Sequence, residues 1–526
     1  MNSFEQFLSK IQPGRKLVNE LKVPAQVLES FMTIGTPGLR TVPELLVLEL
    51  MREIFYEHPV AQTALNEVVP DRLVGASDDE QLSLEAARGR SRRGKGVAAR
   101  PYYAPLYPEQ ARSAALRSKT DRVVRNNFLG GPLAHVWAAT PLADRRRTLL
   151  EPFVRALYGK ARGLEFGSDM LALAMAPAPV ELENAGFLCP DGQFDRAIAG
   201  LEAVLGDRPR FVFPDGSFDP LARRIVDDLI ALCDLEGSVP RLLWIDLLKT
   251  FLRVSLSVWV LAQARLTVFL RDQILSVIEG GIPPTQQEVL DAIRNRGAAL
   301  VSPLTTPSLE LHEHVCDYGR ARVELTVMLY AFHDAQPSMD KPLSVSASGA
   351  NYTSVEDLLL ATKRVAANIS ALTNGEPFTL WLRRGCERFP MWLRPDTRGQ
   401  SKNMDELLRV LWSYDLDDND DGYLARRVTG ALIIFPGSGL TKLMAFLAER
   451  KLHRRGQNGP ARRLLLQDLE LHFTEYGIDF GKVAGSRPRL IEQLAQLGLL
   501  RGSPDAGDGA WIDAPMSQKR GSTNHG

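Results

Sequence analysis

The chain has 526 residues, of which 45 % are hydrophobic and 24 % are charged, a composition typical of a soluble globular protein. Its 63 basic and 63 acidic residues cancel, which excludes a global field that would draw the chain to nucleic acid or to a membrane. Any such attraction must be local. The length excludes a single ordinary core, and we expect about two to four domains.

The four cysteines lie far apart in the sequence, so we expect reduced thiols and a cytoplasmic location. Residues 1–22 lack a clean apolar run, which predicts no export signal. The most hydrophobic stretch, residues 242–270, is interrupted by charged residues. Its longest uncharged run, residues 254–264, is shorter than the roughly 18–20 residues of a membrane span. We therefore predict a buried helix there and no membrane partner.

The first hundred residues divide into two parts of different composition. Residues 1–74 carry apolar residues at helical spacing between proline and glycine breaks, which predicts an N-terminal helical region. In residues 75–104 an acidic patch gives way to a run of arginine, glycine and lysine, with almost nothing apolar to bury. Such a stretch cannot offset its ordering entropy, so we predict a mobile linker and a domain boundary.

Helical patterns predominate again after the linker, and the predicted fold class is mostly α. A central hydrophobic helix or helix pair is expected at residues 241–279, and the best strand signal before the C-terminal region is residues 431–435. The predicted segments are an N-terminal helical region (1–74), a basic mobile linker (75–104), a central helical region of one or two subdomains (105–435), a C-terminal domain (436–515) and a disordered tail (516–526).

An acidic turn offers a candidate divalent-ion site. Asp417, Asn419 and Asp421, followed by Gly422, match the opening half of an EF-hand calcium loop. The position that normally supplies a bidentate glutamate is Val428. Two interpretations stay open, a solvated acidic turn and a weak divalent-ion site.

The other candidate motifs do not support catalysis or metal binding. His312 and Cys316 are four residues apart and could share a helix face, but His314 would point away, and a tetrahedral site needs further ligands. The chain contains no Gly-x-Ser-x-Gly, His-Glu-x-x-His or paired Cys-x-x-Cys motif. We therefore predict a non-enzymatic protein with no catalytic residues, no metal site and no cofactor.

The C-terminal domain has a readable architecture. Three amphipathic segments come at residues 440–449, 461–476 and 487–497, and two short apolar stretches then flank a polar tip. Three helices followed by a β-hairpin, in this order, resemble a winged-helix domain. The predicted buried stripe of the third helix consists of Leu490, Ile491, Leu494 and Leu497, and the predicted outward side chains are Arg487, Arg489, Gln493 and Gln496.

The winged-helix resemblance implies that the third helix enters the major groove of DNA, where arginine and glutamine can read base edges. Arginines of the linker could neutralise phosphates and release counterions. The candidate nucleic-acid-binding residues are Arg88, Arg90, Arg92, Arg93, Lys95, Arg454, Arg455, Arg462, Arg463, Arg487, Arg489, Gln493 and Arg501. A solubilising linker and a protein-binding winged helix are the alternative interpretations of these two elements.

A large, mostly helical chain that lacks catalytic motifs and ends in a winged-helix-like domain is similar to accessory subunits of bacterial anti-phage defence systems, of the methylation-associated or BREX type. That resemblance implies a non-enzymatic DNA-binding adaptor. Its expected partners are double-stranded DNA and other protein subunits of the same system. The alternative function is a protein–protein scaffold whose winged helix is an interface without DNA contact.

Overall fold

The fold was analysed in a computed structural model that describes residues 220–235, 241–335, 375–395, 423–428, 431–455, 463–501 and 510–513, together with a few single positions between these ranges. Of the described part, 67 % is helical, which confirms the prediction of a mostly α protein. The predicted N-terminal region, the basic linker and the C-terminal tail lie outside the described residues.

Four helices form the first half of the described structure. They are α1 (Pro220–Cys233), α2 (Arg241–Ile278), α3 (Gln286–Asn295) and α4 (Pro307–Ala335). The long helix α2 begins at the predicted residue and ends one residue before the predicted end. Helix α3 begins with a capping box, in which Thr285 and Glu288 each accept a hydrogen bond from the backbone N–H of the other. This box fixes the direction in which the chain leaves the turn after α2.

Helix α2 lies at the centre of the core, since nearly all of residues 247–264 are buried. It packs against α1 and α4, and Trp244 at its start donates a hydrogen bond to the carbonyl oxygen of Leu232 over 2.8 Å. Two of its polar side chains bond to the backbone one turn earlier, where Ser257 donates to the carbonyl oxygen of Arg253 and Thr267 donates to that of Gln263. The guanidinium of Arg253 lies 3.5 Å from the ring centre of Tyr423.

The helix Leu247–Ile278 is the one helix among the described residues that is long and apolar enough to cross a membrane, by length and composition only. Within the structure, 94 % of its apolar window is buried against other parts of the chain. A core helix passes the same test of length and composition.

Two short helices and a hairpin connect the first half to the C-terminal region. They are α5 (Phe378–Cys386), α6 (Pro390–Leu393), β1 (Ala425–Val428) and β2 (Ala431–Ile434). The strands pair antiparallel, with Ala425 opposite Ile434 and Val428 opposite Ala431. Strand β2 covers the predicted strand at residues 431–435 except for its last residue. After β2 the chain turns directly into the C-terminal region.

The region from residue 436 to residue 513 is called the C-terminal block below. Its elements are α7 (Ser438–Arg455), β3 (Leu464–Leu465), α8 (Leu466–Glu475), α9 (Ser486–Gln496), β4 (Leu500–Arg501) and β5 (Trp511–Ile512). Strand β5 pairs antiparallel with both β3 and β4, so the strand order is β3-β5-β4. Three helices and a hairpin were predicted, whereas the pairing of β3 with the hairpin was not.

The C-terminal block shares one hydrophobic core with the preceding helices. Buried residues of α1, α2 and α4 form a single cluster with those of α7, α8 and α9. Helix α7 packs against both α1 and α2. An isolated parallel bridge pairs Val301 with Ile478, and the backbone N–H of Val301 donates to the carbonyl oxygen of Gly477 over 3.0 Å. The block is therefore held on the central helices by both apolar and backbone contacts.

Candidate interaction surface of the C-terminal block

Helix α9 carries the side chains on which the sequence-based DNA hypothesis depends. Leu490 and Leu494 are fully buried, as predicted, while Ile491 and Leu497 are partly buried against the same core. The prediction that Gln493 faces outward is wrong, because its side chain is only 5 % exposed. Its amide nitrogen donates to the carbonyl oxygen of Pro436 over 2.9 Å, and its amide oxygen accepts from the hydroxyl of Thr441 over 3.2 Å.

The physical reason for this error is the turn between β2 and α7. That turn brings the carbonyl oxygen of Pro436 and the hydroxyl of Thr441 against α9, and both groups are cut off from water there. Buried polar groups are hydrogen-bonded in folded proteins because an unsatisfied one costs about 1–3 kcal/mol. Gln493 satisfies both groups, and it therefore has a structural role inside the block.

The two arginines of α9, which are half-buried, and the exposed arginine of the hairpin are each paired with a carboxylate. Arg487 contacts Glu470 of α8 over 2.8 Å, and Arg501 contacts Asp513 over 2.8 Å. Arg489 pairs with Glu492 one turn further along α9. Gln496 donates to the same Glu492 over 3.2 Å. The accessible face of α9 consists of Pro488, Glu492, Ala495 and Gln496 with the half-buried Arg487 and Arg489, and together with Glu470, the partner of Arg487, it has no net charge.

The remaining candidate residues have different positions. Arg463 is exposed just before β3, and its guanidinium lies 4.4 Å from the ring centre of Trp511. Arg454 and Arg455 belong to the last turn of α7, but their side chains are outside the described part of the structure. Arg462, Arg88, Arg90, Arg92, Arg93 and Lys95 lie outside the described residues altogether, as does the acidic turn from Asp417 to Asp421.

The histidines of α4 contact the protein itself. The sulfur of Cys316 lies 3.7 Å from the ring nitrogens of His312, one helical turn away. The Nε2 atom of His314 lies 2.8 Å from the carbonyl oxygen of Leu300, and burial together with the charge of Arg265 lowers the pKa of His314. In the part of the chain that the structure describes, no group of three or more His, Cys, Asp and Glu could hold a metal ion.

A buried charged cluster lies where the C-terminal block meets α1. Asp228 of α1 is 3 % exposed and accepts a hydrogen bond from the hydroxyl of Tyr476 over 2.7 Å. The Nε2 atom of His472 lies 3.4 Å from the same carboxylate oxygen, and this histidine is 1 % exposed. Burial raises the pKa of Asp228, although His472, Tyr476 and Arg224 oppose the shift. Burial and the charge of Asp228 also raise the pKa of Tyr476.

Glu475 is the second carboxylate of the cluster, and it joins three elements. Arg224 of α1 contacts one of its oxygens over 2.9 Å, and Lys451 of α7 contacts the same oxygen. The Nδ1 atom of His472 lies 3.4 Å from its other oxygen. Burial opposes the ionisation of Glu475, but His472, Lys451 and Arg224 outweigh it and lower its pKa to about 2. The cluster is therefore an electrostatic link between α1, α7 and α8.

Replacing Glu475 by glutamine is expected to reduce the dependence of stability on acid pH. Because the folded pKa of Glu475 is about 2, below its ordinary value of 4.5, its ionised form stabilises the fold above about pH 4.5 and loses this effect as the pH falls toward 2. Urea unfolding of the full chain between about pH 6 and pH 3 measures this. Glu475→Gln should be less stable near pH 6 and should lose less stability on acidification than the wild type.

The matched control for this experiment is Glu279→Gln, because Glu279 is exposed at the end of α2. This control should follow the wild-type dependence on pH. An equally steep loss of stability in Glu475→Gln and in the wild type would show that the cluster does not stabilise the ionised carboxylate.

Sequence patterns did not predict this cluster. A signal for it exists in α1, where Asp228 lies between the apolar pairs Ile225-Val226 and Leu229-Ile230 and would be costly to bury without partners. A second signal is His472 beside the buried Phe473 on α8. Neither signal identifies the partner residue, because the two elements are about 250 residues apart in the sequence.

No protein-family model matches the chain, and neither a curated protein nor a solved structure matches it.

Proposed function

We propose that the chain is a non-enzymatic adaptor, and that its C-terminal block is a winged-helix-like module that binds another protein. The order helix, strand, helix, helix, strand, strand supports the winged-helix assignment. The antiparallel sheet that joins β3 to the hairpin supports it as well. Membership of a bacterial anti-phage system and a cytoplasmic location remain predictions from the general character of the sequence.

The observation that carries this proposal is the neutral face of α9. Direct reading of DNA requires donors that can reach base edges, and binding of the backbone requires a positive surface. Arg487, Arg489 and Arg501 each have a carboxylate partner within the block. With Gln493 buried, the helix presents proline, alanine, glutamine and two arginines that each pair with a glutamate, which suits a protein surface better than a polyanion.

Helix α8, which the Glu470–Arg487 ion pair joins to α9, exposes one large apolar side chain. Leu471 is 55 % exposed, and it follows directly after Glu470, the residue that joins α8 to Arg487 of α9. An exposed leucine on a helix that is joined to a neutral polar face suits a protein interface, because the centres of such interfaces are apolar and depleted in charged residues. We therefore assign the protein-binding surface to the exposed sides of α8 and α9.

Substituting Glu492 by arginine tests the proposal. The change breaks the ion pair with Arg489 and gives α9 a positive face. The affinity for a protein partner that binds there should therefore fall by about tenfold or more, as it does when a central interface residue is changed. The measurement is co-purification with the tagged full chain from its native cells, followed by titration of the identified partner. Glu279→Arg makes the same charge change on α2 and should retain the partner. Equal retention by both variants would contradict the proposal.

DNA binding is the second candidate function, and Arg463 is the observation that favours it. This arginine is exposed against Trp511 at the edge of the sheet, next in sequence to Arg462. Fluorescence anisotropy with a duplex at about 50 and about 200 mM salt separates the candidates, because phosphate contacts make affinity fall steeply with salt. Salt-sensitive binding that Arg463→Ala weakens would favour the DNA-binding adaptor. Our proposal expects no such binding at the C-terminal block.

A further inference from the structure

His472 lies between two carboxylates at the contact between the C-terminal block and α1. Its Nε2 atom is 3.4 Å from an oxygen of Asp228, and its Nδ1 atom is 3.4 Å from an oxygen of Glu475. Both ring nitrogens are buried and lack a hydrogen bond of good geometry. This arrangement is unusual because buried polar atoms are normally hydrogen-bonded.

The protonation state of the His472 imidazole decides how favourable its contacts with the two carboxylates are. A neutral imidazole has one N–H donor and one nitrogen lone pair, so one of its nitrogens presents a lone pair to a carboxylate. The cationic imidazole presents an N–H to each carboxylate, and both contacts become attractive. A proton on the Asp228 carboxyl group would likewise remove the repulsion between this carboxylate and a nitrogen lone pair. Burial raises the pKa of Asp228, which favours such a proton.

We propose that the Asp228–His472 pair takes up a proton when the C-terminal block packs against α1, so that the block is held more tightly at mildly acidic pH than at mildly alkaline pH. This device is independent of the partner assigned under the proposed function, since it concerns contacts inside the chain. The two residues titrate as a coupled pair, and the proton belongs to the pair.

The surrounding charges allow one extra positive charge. Arg224 of α1 and Lys451 of α7 balance the two carboxylates, so the cluster is neutral before the proton is added. Across the range in which an imidazole titrates, Glu475 stays ionised because its pKa is about 2. Tyr476 stays neutral because burial raises its pKa well above the ordinary value. Asp228 and His472 are therefore the groups of the cluster that can change their charge.

The sign of the effect follows from linkage. If the docked state binds one more proton than the open state, the equilibrium constant for opening rises with pH by up to tenfold per pH unit. Opening of α8 exposes backbone amides that are otherwise protected, so hydrogen exchange reports this constant directly.

The experiment is hydrogen–deuterium exchange of the full chain at about pH 5.5 and about pH 8, with rates corrected for the intrinsic dependence of exchange on pH. For peptides covering residues 466–476 we expect an opening constant at least about tenfold larger at the higher pH. His472→Gln and Asp228→Asn should each reduce this difference to less than about threefold. His312→Gln, which changes an exposed histidine of α4, should keep it.

Two results would overturn the proposal. The first is a wild-type opening constant that is the same at both pH values. The second is a tenfold difference that persists in His472→Gln. If circular dichroism shows that His472→Gln does not fold, Asp228→Asn provides the same comparison. A wild-type opening constant that does not change with pH overturns the proposal even if both cluster variants fail to fold.

Discussion

Replacing Gly477 by alanine is expected to destabilise the protein by about 2–5 kcal/mol. Gly477 has a φ of 71°, a left-handed conformation that costs other residues about 1–2 kcal/mol. An added Cβ would lie 2.6 Å from the carbonyl oxygen of Gly297 and 2.8 Å from side-chain atoms of Leu300. The backbone cannot move away easily, because Gly477 also accepts the hydrogen bond from Val301. Urea denaturation of the full chain measures the change in free energy of unfolding.

Gly498→Ala is a matched control for this substitution. Gly498 has a φ of 68°, nearly the same conformation, but an added Cβ would meet nothing within 4 Å. This variant should lose only the conformational part, about 1–2 kcal/mol. The difference between the two variants then isolates the steric contact between the C-terminal block and the loop after α3. Equal losses would mean that the close approach of Gly477 to Gly297 does not matter for stability.

Replacing Gln493 by alanine is expected to cost about 2–3 kcal/mol, because it removes two buried hydrogen bonds and leaves the carbonyl oxygen of Pro436 without its donor. Gln496→Ala changes the same residue type three positions further along α9, where the side chain is exposed. That control should stay within about 0.5 kcal/mol of the wild type. Both values come from the same urea titrations.

The comparison of these two glutamines also tests whether the side chain of Gln493 is buried. If Gln493 faced solvent, as the sequence pattern predicted, the two substitutions would have equally small effects on stability. A cost for Gln493→Ala alone would agree with its hydrogen bonds to Pro436 and Thr441. Circular dichroism of both variants verifies that they fold.

Local patterns predicted much of the described fold. The apolar run of α2 and the two glycines that follow it predicted the end of that helix to within one residue. Amphipathic spacing located α7, α8 and α9, with boundaries that differ from the structure by up to six residues. These features depend on residues close in sequence, and helical periodicity reports them directly.

Contacts between distant residues could not be predicted in the same way. Gln493 sits on the polar side of α9 by periodicity, yet the turn at Pro436 covers it, and that turn is 57 residues away. The pairing of Asp228 with Tyr476 spans 248 residues. The pattern of a single helix cannot show which of its polar residues another element will bury. Strand β3 was missed because Leu464 and Leu465 fall inside residues 461–476, the segment that helical periodicity assigned to the second helix.

The span between Asp228 and Tyr476 has a consequence for synthesis of the protein. At about 5–20 residues per second, the ribosome needs on the order of 10–50 s to make the intervening chain. During this interval helix α1 lacks the residues that later cover its carboxylate. The newly made helix α1 therefore stays without its C-terminal partners during this interval. Its apolar side chains are exposed at that time and can be bound by chaperones or by another chain.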